Sequence, residues 1–286
     1  MTGCQPQDLR GSYLIRALYT ERRSIMSDSM GISAASGGTG YYSAAIASGS
    51  RIMSAADDAS GLAIAEKENS QINGLDQGAR NSQDVISMLN TADGATDKIA
   101  DSLSRIRTLA VQAQNTAVLT DDDRRMIQDE VDQLKQGIAD TARNTEFNKK
   151  KLLDGSYEGY SQTGANEGQG KDIDIGNATL DALGIKDFDV TSNDPSKNSV
   201  DIIDNALSSI ADTRGKIGAQ TNAMEYSIQY NAISSENLTA ATSRIEDADI
   251  AEMASKLSKE SLLQTYQTMM QKKQQEEEAK KFGALF

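Results

Sequence analysis

The chain has 286 residues, of which 38% are hydrophobic and 5% aromatic, with no Trp and a formal net charge of −13. Histidine is absent and Cys4 is the single cysteine, which excludes a His-based triad, an HExxH zinc site, a Cys/His metal cluster and an internal disulfide. The acidity leaves no basic stripe to displace counterions from nucleic acid, and it disfavours an anionic membrane surface.

Prolines occur only at Pro6 and Pro195. Proline inside a helix costs about 3 kcal/mol, so the stretch between them is free to form long rods with narrow apolar seams. Residues 1–29 differ from the rest: they are basic and hold Cys4 and Pro6. They read either as a flexible tail or as residues upstream of a true start at Met26 or Met30. Their apolar stretch Tyr13-Leu14-Ile15 stops at Arg16, too short for the core of a secretory signal. No apolar run approaches the roughly 18 residues of a membrane span.

Residues 30–50 are rich in Gly, Ser and Ala, and Gly37, Gly38 and Gly40 argue against a rigid helix before Tyr42. From about Leu75 to Asn115 the spacing predicts a long helix. Its seam of Val85, Leu89, Ala92, Thr96, Ile99, Leu103, Ile106, Ala110 and Ala113 alternates steps of three and four. Gly94 weakens it by about 1 kcal/mol relative to Ala. The short loop 115–119 predicts an antiparallel second helix, N-capped by Thr120 with Asp121–Asp123 in its first turn. Its seam is Ile127, Val131, Leu134, Ile138 and Ala142.

Residues 154–198 break the pattern. Gly155, Gly159, Gly164, Gly168 and Gly170 mark loop, while Ile173 and Ile175, then Phe188 and Val190, alternate with aspartates. Two or three short strands are expected here. From Val200 helix returns, with a more polar seam through Ile210, Arg214, Ile217, Thr221, Met224, Ile228, Asn231, Ser235, Leu238, Thr242 and Ile245. A last helix is expected from Asp247 to about Lys281.

Four segments carry a resemblance. RIMSAADDASGLAIA (51–65), LSRIRTLAVQAQNT (103–116), TEFNKKKLLDGS (145–156) and ENLTAATSRIEDADIAEMASKLSK (236–259) resemble the ordered signature segments of bacterial flagellin. The resemblance implies a mainly α fold: an elongated antiparallel helical bundle formed by the N- and C-terminal halves, with a small β-hairpin-containing middle. Its divisions are an atypical extension at 1–29, an N-terminal helical region at 30–156, a short outer segment at 157–198 and a C-terminal helical region at 199–286. It implies a structural subunit of the extracellular flagellar filament, supporting swimming motility and exported unfolded by the flagellar type III apparatus. The implied partners are further copies of the chain, an export chaperone, cap and hook-associated proteins, and the flagellin-sensing Toll-like receptor. No cofactor or enzymatic activity is implied.

By motif matching, filament packing falls to Arg51, Ala56, Asp57, Asp58, Gly61, Leu62, Asn148, Arg244, Ile245 and Asp249. Receptor contact falls to Arg105, Leu109 and Glu130, although Thr108 stands where an acidic residue is common. The chain departs from the pattern at residues 1–41, which lack a long amphipathic helix, and at the polar run KKQQEEEAKK (272–281).

Alternatives remain at this point. Asp57-Asp58 reads as a carboxylate dyad or as a capping and contact pair, and adjacent residues on a helix do not face one point. Arg105 and Arg107 read as solvated helix residues or as a recognition surface. Lys149–Lys151 reads as an exposed turn. The sequons at Asn177 and Asn237 are short enough to arise by chance. A hook-associated junction protein or minor filament component is the alternative function. An enzyme on the same scaffold is a third reading, whose HExxH version the absence of His excludes.

Overall fold

The computed structural model of the chain describes residues 38–192 and 199–283. Residues 1–37, including the atypical extension and its alternative starts, lie outside the described residues. The elements are α1 (residues 38–48), α2 (Ala55–Ala113), α3 (Asp121–Asn144), β1 (Glu146–Phe147), β2 (Lys150–Lys151), β3 (Glu158–Gln162), β4 (Gly170–Asp174), α4 (Val200–Glu246) and α5 (Ile250–Gly283). They fall into two compact units: residues up to Glu66 with Ala241 onward, and Lys67–Ala240.

The larger unit holds the main core. Every seam residue of the long helix from Leu89 to Ala113 is buried, and Val85 packs at its edge. Thr96 is buried too, and its hydroxyl donates to the Ala92 carbonyl at 3.0 Å, so its polarity is satisfied within the helix. Across the seam lie Ile127, Val131, Ile138 and Ala142 of α3, and Ile203, Ala206, Ile210, Ile217 and Met224 of α4. Contacts of Arg107 with Asp204, Arg214 with Asp93, and Asn231 with the Leu75 carbonyl run in opposite chain order. The facing stretches of α2 and α4 are therefore antiparallel.

Helix α3 starts as its sequence dictates. The Thr120 hydroxyl accepts from the Asp123 amide while the Asp123 carboxylate accepts from the Thr120 amide, a reciprocal capping box. A tight hairpin follows. Phe147 pairs with Lys150, and the two residues between them, Asn148 and Lys149, have φ of 49° and 64°. Two consecutive left-handed residues match the right-handed strand twist, which is why Asn is favoured there. The hairpin turns Leu152 and Leu153 into the core, both fully buried.

Three expectations need correction. Helix α1 already includes residues 38–41, ahead of Tyr42. The added Cβ positions at Gly38 and Gly40 meet no obstruction closer than 3.6 Å, so these glycines permit the helix without being demanded by it. Gly159 lies within β3 and Gly170 opens β4, rather than both marking loop. A side chain at either would collide with the rings of Tyr157 and Tyr160, at 2.4 and 2.2 Å. Phe188 and Val190 are buried but form no strand. Their backbone is satisfied by α3 instead: the Val190 carbonyl accepts from Arg124 Nη2 (2.6 Å) and its amide donates to Gln128 Oε1 (2.8 Å). Among its described residues the middle segment thus holds one hairpin of two five-residue strands, β3 with β4.

Candidate functional site

The signature at 51–65 builds a helix start in two stages. The Asp57 carboxylate accepts from the amides of Met53 (3.2 Å) and Ser54 (2.9 Å) and from the Ser54 hydroxyl (3.0 Å). Asp58 leaves helical geometry (φ −159°, ψ 93°), and its Oδ1 accepts from the Gly61 amide at 2.8 Å. Asp58 is thus the N-cap of the rest of α2, satisfying one of the orphan donors of a helix start. The two carboxylates serve separate caps and do not converge on one point. Gly61 is required by this arrangement: a Cβ there would lie 2.4 Å from Asp58 Oδ2 and 2.8 Å from Ile52 Cδ1.

The same signature also completes another helix. The last carbonyls of a helix have no partner within it. At the end of α4, the Ile245 carbonyl accepts from Arg51 Nη2 at 2.5 Å and the Glu246 carbonyl from the Arg51 amide at 2.6 Å. Arg51 therefore brings two donors, one from its side chain and one from its backbone, and a positive charge to the negative end of that helix. The Ala248 amide returns a bond to the Gly49 carbonyl (2.9 Å), with Gly49 at φ 73°. The Ser50 hydroxyl donates to the Ile52 carbonyl (2.8 Å), and the Tyr41 hydroxyl to the Arg51 carbonyl (2.7 Å). Just beyond, the Ser243 hydroxyl donates to the Asp247 carboxylate. Asp249 Oδ1 accepts from the amides of Ala251 and Glu252, capping α5. Ile52, Ala65 and Met253 are buried in this unit.

The two terminal signatures therefore form one clasp. Arg51, Asp57, Asp58, Gly61, Ile245 and Asp249 all belong to it or to its caps. Leu62 is half-buried nearby in the chain, and Ala56 and Arg244 are exposed. Asn148 sits apart, in the larger unit, as the first left-handed residue of its hairpin turn.

In that larger unit, Arg105 Nε and Nη2 both donate to Glu130 Oε1, at 2.8 and 2.6 Å. Leu109 is a core residue, 2% exposed, so of the three positions expected at a receptor contact only Arg105 and Glu130 present a surface. Arg107 is paired with Asp204 (2.6 Å), whose hydrogen bond holds the Asp204 carboxyl below its usual range and raises the guanidinium. Arg214 bridges Asp93 (2.9 Å) and Asp97 (3.0 Å), one turn apart on α2. These pairs are exposed, so each adds little stability and mainly fixes alignment.

Sequence reading missed Gly49, Glu246 and Asn231 as working parts. Gly49 and Glu246 act through backbone atoms, which any residue type carries. Asn231 is 3% exposed and donates to the Thr163 carbonyl at 2.6 Å. A polar residue at a seam position was its signal, because a buried amide must find acceptors.

Terminal signatures clasped to each other, long helices with buried seams and a short hairpin-bearing middle are the features of a helix-rich structural protein. A family model of the bacterial flagellin N-terminal helical region matches residues 26–158, and one of the C-terminal helical region matches residues 200–278. The chain is 38% identical to a flagellin of Halalkalibacterium halodurans, covering 82% of this chain and 87% of that one. It is 40% identical to a flagellin of Bacillus subtilis, covering 79% and 86%. A structure of a putative flagellar hook-associated protein from Vibrio parahaemolyticus, at 18% identity and TM-score 0.52, covers 67% of this chain and shares the fold. The chain belongs to the bacterial flagellin family. It is a structural subunit of the extracellular flagellar filament.

Proposed function

We propose that this subunit polymerises through its terminal helices, and that the clasp residues act by shaping each copy for that contact. The observation that carries the reading is the surface of α5. Leu262, Tyr266 and Met269 are exposed at 70, 64 and 63% on one face of the helix, with Leu263 and Met270 beside them. A stripe at these spacings is the pattern of a helix completed by a neighbour. Arg51, Ala56, Asp57, Asn148, Arg244 and Asp249 are the packing positions left with exposed surface, and the others support the contact from within the chain.

The subunit's role is mechanical rather than enzymatic, and its export is as an unfolded chain, handled by a chaperone and placed under a cap beyond hook-associated proteins. Arg105 and Glu130 are the surface offered to the flagellin-sensing receptor. Family membership supports each of these.

Elongation of filament seeds by purified protein, imaged by electron microscopy, tests the reading. Wild-type chain elongates seeds, and the triple change Leu262→Ser, Tyr266→Ser, Met269→Ser abolishes elongation while helicity is kept. Undiminished elongation by the triple variant overturns the assignment of the contact to α5.

A further inference from the structure

We propose that a second interface between copies is formed when the Tyr226–Tyr230–Ile233 face of one subunit docks into the groove between α2 and the β1–β2 hairpin of another. The inference rests on the filament reading and assigns it a surface away from the terminal helices.

The groove measures about 460 Å³. Val85, Met88, Phe147 and Tyr157 give it an apolar lining, and Asp84, Asn148 and Lys150 are its polar members. Lys150 and its neighbour Lys149 have no ion-pair partner among the described residues, whereas Lys151 is neutralised by Glu146 at 2.8 Å. In a chain of net charge −13, two adjacent unpaired lysines beside an apolar groove mark a place for an acidic, apolar partner.

That partner surface is present on the same molecule. Tyr226, Tyr230 and Ile233 of α4 are exposed at 72, 66 and 61%. Their i, i+4, i+7 spacing is the anchor pattern of a helix laid in a groove. Glu225 and Glu236 flank them, exposed and without an ion pair among the described residues. The stripe does not fill its own groove, since both belong to the Lys67–Ala240 unit and the stripe is solvent-exposed there. A second copy is therefore the occupant. The glutamates then meet Lys149 and Lys150, and a Tyr230 hydroxyl reaches Asp84 as acceptor, as a buried phenol requires. Because groove and stripe are different patches, the contact is head-to-tail and leaves both ends open for further copies, as a filament requires.

Charge reversal tests this on the full chain. Lys149→Glu with Lys150→Glu, or Glu225→Lys with Glu236→Lys, each raise the critical concentration for seeded elongation about tenfold, and the four changes together restore it. In a Cys4→Ser background, Lys150→Cys with Tyr230→Cys gives a ladder of disulfide-linked multimers on oxidation of filaments, while each single cysteine variant gives none. Charge variants that elongate like wild type, a fourfold variant no better than either pair, or filaments without a ladder overturn the interface while leaving filament formation standing. Wild-type chain that never elongates overturns the filament reading and this interface together.

Discussion

Arg51 and Ile245, 194 positions apart in the sequence, are joined through a guanidinium nitrogen and a helix-terminal carbonyl oxygen 2.5 Å apart. The bond ties the start of one signature segment to the end of another. Arg51→Ala removes the guanidinium bond to Ile245 but leaves the backbone bond of residue 51 to Glu246, so the clasp loosens without opening. The expected cost is about 1 kcal/mol, since the site is exposed to solvent. Amide hydrogen exchange at Ala248 is expected to speed up by several fold, with Thr96 in the core unchanged. Equal protection at Ala248 in variant and wild type would remove Arg51 from the clasp.

Two glycines of α2 predict opposite signs. Gly94→Ala meets nothing within 4 Å and gains the helix propensity of Ala, about 1 kcal/mol. Gly61→Ala drives a methyl onto Asp58 and Ile52 and costs about 1–3 kcal/mol through overpacking, despite the same propensity gain. Chemical denaturation of the two variants checks the pair. In Gly61→Ala, adding Asp58→Ala is expected to cost less than it does alone, because the clash and the cap share one carboxylate.

The capping box of α3 gives a pH signature. Hydrogen bonds from the Thr120 hydroxyl and amide hold the Asp123 carboxyl below the usual carboxylate range. A depressed folded value means stabilisation that is full above the unfolded value and lost as pH falls through the folded one. Thr120→Ala is expected to cost about 1 kcal/mol at neutral pH. Thermal melts from pH 7 down to pH 2 should show this difference narrowing below about pH 4. A gap that stays constant into acid would show that the carboxylate takes no part in the cap.

Asn148 and Lys149 both hold left-handed backbone. Asn148→Gly is expected to be neutral or nearly so, while Asn148→Val costs about 1–2 kcal/mol, the price of a branched residue with positive φ. Stability in urea for the two variants decides it. Equal midpoints would mean the turn relaxes to another type.

Helix periodicity was legible wherever side chains set it. The seam from Leu89 to Ala113, the Thr120 cap and the return of helix at Val200 all rest on local patterns, and each stands in the structure. The strand β3 was hidden because Gly159 and Tyr160 alternate without apolar residues, and its pairing with Asp172 and Ile173 depends on a cross-strand fit. Phe188 and Val190 showed the reverse: alternation came from burial against α3, not from a sheet. For the clasp, the motif residues were visible, yet their roles were not. Arg51 acts on carbonyls far along the chain, and nothing in the residues 245–246 records that they receive it. Leu109 looked like surface by analogy and lies in the core because it falls beside Ile106 and Ala110 on the buried face.

The β3–β4 turn is held firmly at its base and lightly at its tip. Thr163 is pinned by Asn231, its amide and that of Gly164 both donate to the Gln169 carbonyl, and Gly78 leaves room on α2 for the Thr163 backbone. Glu167 and Gly168 lie beyond these anchors and are exposed. A foreign peptide spliced between them would leave the anchors intact. Each subunit would then carry a graft, and the number of grafts displayed would grow with the length of the fibre.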